Sequence, residues 1–416
     1  MKKILVVLVV ALGVSLLSTC TQEAKRKPEI ERPQPEKGEE RRPTESSKEL
    51  SVVTKALDYL AHTQRPDGFW EAGNGGTIVA TSLAGLAFLA SGSTLKDGPY
   101  AENLRKAAKG VSDFIKQHYG GGIGEDEGSE GSRTGWHLSF AAMFLSEVYR
   151  IENTPELKQV LQLLVKSIQQ TQLDDGGWSH AKWLGAGPFA YGSFATMTTW
   201  NLFALGLLKK AGFEVLENSI KKGADYLEKC THPDGSIDYN MLDQRHLGMK
   251  IPRRGAAGRT LGAIFTFACT GQKAELRAKM AEYIERTGIK RIKFNESYTM
   301  LGHEPHFYLT AALGSWSLGK KSWENYLEVY QDKILEMFEP DKGQFKLETV
   351  GTPGTEKIPL ILANGLIGSS GGINWTTATY ALILQMETKK LKFLQELDVP
   401  TQASKEKPKE KLEIEK

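Results

Sequence analysis

Two apolar patterns alternate along this chain. In the first, apolar residues recur every three or four positions with charged residues between them, as from Leu104 to Ile115. This spacing predicts an amphipathic helix with one buried face. In the second, nearly every position is apolar, as from Ser82 to Leu89. A helix that is apolar all round is buried all round, so the sequence predicts pairs of an outer and an inner helix.

The same helical hairpin is repeated six times in a shared frame. The first copy contains Lys55, Tyr59, Leu60, Gln64, Asp67, Gly68 and Trp70. At identical spacings the fourth copy contains Lys222, Tyr226, Leu227, Thr231, Asp234, Gly235 and Ile237. Units that repeat every roughly 50 to 60 residues stack on one another, because one unit cannot bury its apolar face alone. The sequence therefore predicts an all-α fold, an α/α toroid of six hairpins with an inner and an outer ring.

The connections from outer to inner helices are long and rich in glycine. They span residues 120–133, 176–194, 235–258 and 343–373. Long loops in a compact domain usually carry function. All of them lead to the starts of inner helices, so we expect the functional site at that pole of the ring.

The motif Gln-x3-Gly-x-Trp occurs twice, between Gln64 and Trp70 and between Gln172 and Trp178. It resembles the QW repeat of squalene and hopene cyclases, and the whole plan resembles the α/α toroid family of terpenoid cyclases and protein prenyltransferases. In that family the glutamine ties a loop and the tryptophan packs against a neighbouring helix. The resemblance therefore implies structural roles for these four residues.

The catalytic motifs of that family do not occur in the sequence. It contains no Asp-x-Asp-Asp acid of the cyclases, no Asp-x-Cys pair of the zinc-binding prenyltransferases and no Gly-Cys-Gly-Glu-Gln thioester. A fold can be inherited without its chemistry. We therefore expect neither squalene cyclisation nor prenyl transfer and no cofactor, while catalysis of another kind stays open.

Both ends of the chain differ in composition from the repeats. Two lysines precede an apolar run of about 14 residues, which suits a signal peptide and is too short to span a bilayer. The run ends in Leu17-Ser18-Thr19-Cys20, which resembles the lipobox of bacterial lipoproteins and makes Cys20 the expected lipidation site. An ordinary secretory signal and an uncleaved anchor are the alternatives. The expected organisation is a signal peptide at 1–20, a disordered charged tether at 21–49, the toroid at 50–399 and a disordered charged tail at 400–416.

Five aromatic and basic residues near the starts of inner helices are the candidate ligand-binding residues. They are Trp136, His137, Arg259, His306 and Trp375. The alternatives are that the aromatic residues fill the interior, that the histidines are structural, and that the arginine pairs with an acid of a loop.

No metal site and no disulfide are expected. His303 and His306 lie three residues apart, but no third ligand is evident and Pro305 interrupts the spacing. Cys230 and Cys269 end the two helices of one hairpin and should lie about 20 Å apart. A disulfide requires Cα atoms within about 7 Å, so both should be free thiols.

Three functions fit these observations. The first is an exported, membrane-anchored lipoprotein of the cell envelope that binds a small molecule, glycan or peptide at the loop-rich pole. The second is an envelope enzyme acting on a glycan or a terpenoid-like substrate, and the third is a protein-interaction scaffold. The net charge of +3 implies no nucleic-acid partner. A deep pocket with convergent Arg, His and acids would favour an enzyme, and a filled centre would favour a scaffold.

Overall fold

The computed structural model describes residues 44–72, 76–121, 134–180, 192–241, 256–289, 304–346 and 372–397. The helices in chain order are α1 Thr44–Thr63, α2 Thr77–Ser91, α3 Ala101–Tyr119, α4 Thr134–Ile151, α5 Pro155–Gln170, α6 Ala195–Lys210, α7 Glu217–Lys229, α8 Ala256–Thr270, α9 Ala274–Thr287, α10 Glu304–Ser317, α11 Lys320–Glu336, α12 Gly372–Leu384 and α13 Lys392–Leu397. A short antiparallel pair, β1 Phe338–Glu339 and β2 Gln344–Phe345, follows α11, and a 3-10 turn, Met386–Thr388, follows α12.

The six even-numbered helices α2 to α12 form a closed inner ring. Each packs on the next, from α2 through α4, α6, α8 and α10 to α12, and α12 packs on α2 again. Almost every described side chain of α2, α6 and α8 is buried, as their all-round apolar pattern requires. The predicted all-α toroid of six hairpins is confirmed.

The odd-numbered helices α1 to α11 form the outer ring. Helices α3, α5, α7, α9 and α11 each pack chiefly on the inner helix that precedes them in the chain, and α1 packs chiefly on α12. The first and last hairpins therefore close the ring. Side-chain amides join them there, because Asn374 Nδ2 donates to Glu71 O at 2.9 Å and Gln385 Nε2 donates to Ala87 O at 3.1 Å.

Four turn glycines connect neighbouring repeats by close backbone contact. Each has a positive φ, and a Cβ atom there would lie 2.2 to 2.9 Å from a lysine carbonyl oxygen of another outer helix. The pairs are Gly68 with Lys106, Gly176 with Lys222, Gly235 with Lys279, and Gly343 with Lys55. The lysine position in the repeat frame thus marks where the neighbouring turn rests on an outer helix, and only glycine fits there without strain.

The two motif glutamines tie each turn to the next outer helix. Gln64 Nε2 donates to Gly68 O within its own turn and to Asn103 O in α3, at 2.9 and 3.0 Å. Gln172 Nε2 donates in the same way to Gly176 O and to Ser219 O in α7. One amide group therefore satisfies carbonyl groups of two repeats, which confirms the structural role implied by the resemblance.

The motif tryptophans are fully buried behind the same turns. Trp70 Nε1 donates to Leu60 O at 2.7 Å, and Trp178 Nε1 donates to Ile168 O at 2.8 Å. The backbone N–H of Trp178 donates to the hydroxyl of Thr198 in the following inner helix. The same threonine contact recurs in three other repeats at Trp70–Thr81, Ile237–Thr260 and Phe345–Thr377. The sequence analysis did not identify this threonine as part of the repeat.

Helix α13 covers the pole where the inner helices end. It packs on α4, α8 and α10, and α4 and α10 stand on opposite sides of the ring. Its Phe393 ring contacts Phe203 of α6, and Trp316 Nε1 of α10 donates to Leu394 O at 2.8 Å. A helix that touches opposite sides of a ring must lie across its axis. The sequence analysis did not predict this helix.

A buried carboxylate fixes the start of α13. Glu147, near the end of α4, accepts hydrogen bonds from the backbone N–H groups of Lys392 and Phe393 at 2.5 and 3.3 Å. Arg150 Nη1 lies 3.0 Å from Glu396 Oε1 of α13 and 3.7 Å from Glu147 Oε1. An acid at a helix N-terminus compensates the unpaired N–H groups there, so these contacts hold α13 against α4.

The described residues belong to one compact unit, Thr44–Lys416. Helix α1 begins at Thr44, before residue 50, where the sequence pattern placed the start of the toroid. Cys230 and Cys269 are buried and free, as expected. None of the helices that the structure describes is both long and apolar enough to cross a membrane. Cys20 and His303 lie outside the described residues.

Candidate functional site

Three of the five predicted residues meet on the ring axis, near the starts of the inner helices. The rings of Trp136 in α4 and His306 in α10 lie 4.7 Å apart, and Trp375 in α12 lies 6.3 Å from Trp136. Phe140, one turn further along α4, lies within 6.5 Å of both His306 and Trp375. All four rings are buried. Together with Trp200 of α6, 4.9 Å from His306, they form what we call the axial cluster.

Indole N–H groups donate to two histidine rings. Trp200 Nε1 donates to His306 Nε2 at 2.6 Å, and Trp136 Nε1 donates to His180 Nδ1 at 2.7 Å. The axial cluster is thus an aromatic core layer that joins four inner helices.

A row of aromatic rings in contact extends outward from the axial cluster. His180 lies 4.7 Å from Phe194, and Phe194 stacks on Tyr239 at 5.2 Å with an interplanar angle of 2°. Tyr239 is half-buried. None of His180, Phe194 and Tyr239 is among the five residues that the sequence predicted for the site. Their position beside the start of α6, at the loop-rich pole, could have identified them.

The other two predicted residues do not join the axial cluster. His137 follows Trp136 in α4, but its ring makes an edge contact at 5.4 Å with Phe114 of the outer helix α3. Arg259 of α8 donates from Nε to Ile237 O in the turn of the fourth repeat, at 3.3 Å. Both side chains are buried. They therefore connect inner helices to other parts of the repeats.

A cleft of about 250 Å³ opens between the first and second repeats at the loop-rich pole. It is lined by Arg65, Asp67, Phe69, Thr77, Ile78, Phe114, His118 and His137. We call it the repeat-1/2 cleft. Two histidines line this cleft. His137 is buried, with 2 % of its surface exposed, whereas His118 is exposed. Arg65 and Asp67 form an ion pair at the surface.

Acidic residues are rare on the inner helices. Within the ranges given above, these six helices contain only Glu147 and Glu304. Glu147 lies under α13, at the pole opposite the loops, where burial raises its pKa to about 7 although Arg150 and two backbone N–H groups favour its charged form. Glycoside hydrolysis ordinarily uses two carboxyl groups about 5 to 10 Å apart. The inner helices do not supply such a pair at the loop-rich pole, and the described residues contain no group of three metal-binding side chains.

Comparison with known proteins gives similarity of structure only. No family profile matches the chain, and no curated protein matches its sequence. Solved structures do match. One is an unsaturated glucuronyl hydrolase specific for heparin, with 13 % identity, 83 % of this chain and 98 % of that chain covered and a TM-score of 0.55.

Two further solved structures illustrate the range of proteins with a similar fold. An inactive variant of an α-1,6-mannanase from Salegentibacter sp. HEL1_6, in complex with α-1,6-mannotriose, has 13 % identity, 82 % and 99 % coverage and a TM-score of 0.54. The type II terpene cyclase MstE from Scytonema has 13 % identity, 83 % and 100 % coverage and a TM-score of 0.48. At such identities the likeness concerns the fold alone. The chain is an α/α toroid, a fold that it shares with glycan hydrolases.

Proposed function

We propose that this protein is a glycan-binding toroid of the cell envelope that takes its ligand in the repeat-1/2 cleft. The observation that carries the proposal is the cleft itself. It lies at the pole where the inner helices begin, and aromatic and hydrogen-bonding side chains converge in it, as is usual for small-molecule sites. Phe69 and Phe114 offer apolar faces, and His118, His137 and Thr77 offer polar groups.

Two features favour binding in this cleft over binding on the ring axis. The axial cluster fills the centre of the inner ring, since Trp136, His306 and Trp375 are all buried there. Helix α13 covers the opposite pole. A glycan is the favoured ligand class because structural neighbours with TM-scores above 0.5 include a glucuronyl hydrolase and a mannanase. Binding without hydrolysis is favoured because the inner helices have no pair of carboxylates at the loop-rich pole.

Calorimetry on the full chain with a panel of uronic-acid and α-1,6-mannose oligosaccharides tests the proposal. Phe114→Ala should weaken the binding of any positive oligosaccharide about fivefold or more, because a stacked aromatic face contributes about 1 kcal/mol and about 1.4 kcal/mol corresponds to tenfold. Tyr149→Ala is the matched control, a half-buried aromatic at the far end of α4. Equal losses in both variants would show a general loss of folding. Product formation by the native chain would identify an enzyme instead.

The envelope location rests on the N-terminal sequence. A short apolar segment followed by Leu17-Ser18-Thr19-Cys20 favours cleavage before Cys20 and lipid attachment to it. A single lipid signal and a charged tether would place the toroid at a membrane surface. Mass spectrometry of the protein from its native membrane should find a lipidated Cys20 at the mature N-terminus. Cleavage at another position with an unmodified Cys20 would contradict this part of the proposal.

A protein-interaction scaffold is the second candidate, and the filled axial cluster favours it. A scaffold would use its outer ring and would bind no sugar. Chemical crosslinking of the native chain in envelope preparations distinguishes the two functions. Crosslinks confined to outer helices α1 to α11, together with a negative oligosaccharide panel, would support the scaffold.

A further inference from the structure

The start of helix α2 gives the repeat-1/2 cleft a positive end. The N-cap residue of α2 is Gly76, which has no side chain to cap the helix, and the first turn contains no acidic residue. Thr77 and Ile78 of this turn line the cleft. The first N–H groups of a helix have no partner within the helix, and together with the helix dipole they favour an anion.

The side chains around this helix end also favour an anion. His118 and His137 line the cleft from α3 and α4. Among the described residues that line the cleft the one acid is Asp67, and its carboxylate is occupied, since it pairs with Arg65 and accepts the backbone N–H of Phe69. The negative charge of Asp67 is therefore compensated within its own turn.

The apolar wall and the volume limit what the anion can be attached to. Phe69 and Phe114 line the cleft, and the Phe114 ring lies 4.2 Å from the His118 ring and 5.4 Å from the His137 ring. The volume of about 250 Å³ is below the range of about 300 to 1,000 Å³ that is usual for drug-sized ligands. One sugar ring with one charged group suits both the size and the lining.

We propose that the repeat-1/2 cleft binds a uronic acid residue, with its carboxylate at the start of α2 between His118 and His137 and its ring against Phe114. This inference rests on the proposed function, because it names the kind of sugar that the same cleft takes. The chemistry that recognises the ligand is a single carboxylate on a pyranose. A sulfate or a free inorganic anion lacks the ring that the aromatic wall would contact.

The test compares two ligands that differ only in charge. A hyaluronan tetrasaccharide carries carboxylates and no sulfate, and chemical reduction of its carboxyl groups gives a neutral counterpart. The full chain should bind the acidic form at least about tenfold more tightly, since hydrogen bonds to an ionised group are about twice as strong as those between neutral groups. This preference should shrink as salt is raised, because salt screens exposed charges.

His118→Ala should remove most of the preference for the acidic form. His62→Ala is the matched control, an exposed histidine in the last turn of the outer helix α1 that does not line the cleft. Thermal unfolding of both variants checks that each is folded. If His118→Ala destabilises the chain, His118→Gln, which keeps a donor but cannot be charged, should still lower the preference.

The outcomes separate the inference from the proposed function. Equal affinity for the acidic and the neutral tetrasaccharide, both lost in Phe114→Ala, would overturn the uronic acid and leave the glycan cleft standing. The uronic acid inference would also be overturned if inorganic sulfate displaced the acidic tetrasaccharide as effectively as free glucuronate does. Failure of every oligosaccharide to bind would overturn the proposed function itself.

Discussion

Gly343, in the turn of the sixth repeat, rests on the carbonyl oxygen of Lys55 in the first outer helix. A Cβ atom at Gly343 would lie 2.9 Å from Lys55 O, and the residue has a φ of +66°. The same contact joins three other turns, at Gly68, Gly176 and Gly235, to their neighbouring outer helices. The closure of the ring therefore uses the contact that builds the rest of it.

Gly343→Ala should destabilise the toroid more than an equivalent change elsewhere. The control is Gly212→Ala, because Gly212 also has a positive φ, +91°, but no atom lies within 4 Å of its added Cβ. Each variant loses about 1 to 2 kcal/mol through its left-handed backbone, and only Gly343→Ala must also move α1 away from the turn. Denaturant unfolding measures both. Equal losses of unfolding free energy in Gly343→Ala and Gly212→Ala would mean that the contact with Lys55 adds nothing to stability.

Trp178→Ala should cost about 3 to 5 kcal/mol of unfolding free energy, as is usual for the loss of a buried aromatic residue. Trp178→Phe should cost less, because it keeps most of the apolar contact and loses the hydrogen bond to Ile168 O. Trp178 is the better choice for this test, since Trp70 follows Phe69, which lines the repeat-1/2 cleft. A Trp178→Ala variant with unchanged stability and lost sugar binding would make Trp178 a site residue.

The stability of the native chain should depend on the titration of Glu147. Burial raises its pKa to about 7 from an ordinary value of 4.5, against the effect of Arg150 and the N–H groups of α13. The folded state then binds a proton more tightly than the unfolded chain. The contribution of Glu147 to the free energy of unfolding is fully present below about pH 4.5 and is lost as the pH rises through about 7.

Glu147→Gln removes this titration and should flatten the pH dependence of unfolding. Between about pH 5 and pH 8 the native chain should lose up to about 3 kcal/mol relative to the variant, from about 1.4 kcal/mol per pKa unit. Urea unfolding at several pH values measures the difference. Exposed Glu336→Gln is the control. Parallel curves for the native chain and Glu147→Gln would mean that Glu147 keeps an ordinary pKa.

Both toroid cysteines should be unreactive in the native state and free. Burial raises the pKa of the Cys230 thiol well above its usual range and that of Cys269 to about 12. Reactivity requires the thiolate. A Cys20→Ser chain should give almost no reaction with a disulfide reagent when native and two thiols when denatured without reductant. No thiols after denaturation would indicate a disulfide.

The sequence predicted the ring because its contacts are local and repeated. Gly68 with Trp70 and Gly176 with Trp178 stand at the same spacing, and each contact involves the adjacent repeat. Helix α13 could not be predicted in this way. It is one short segment without a copy, and its partners, such as Glu147 and Trp316, lie far away in the chain.

The site was harder to predict because it depends on helix rotation. Trp136 and His137 are neighbours in the sequence and were expected to share one site. Successive residues of a helix point about 100° apart, so Trp136 faces the axis and His137 faces the outer helix α3. Only the position of α4 within the ring decides which residue meets which neighbour.

The junction between the first and the last hairpin also sets a limit on how this chain can fold. The hydrogen bond from Asn374 to Glu71 joins residues 303 positions apart, and that from Gln385 to Ala87 spans 298. Contacts between such distant residues slow folding, because a long loop must close before they form. During synthesis the part of α1 that packs on α12 has no partner until almost the whole chain exists. A nascent chain that stops before α12 would expose that part of α1, and it would be a natural substrate for chaperones.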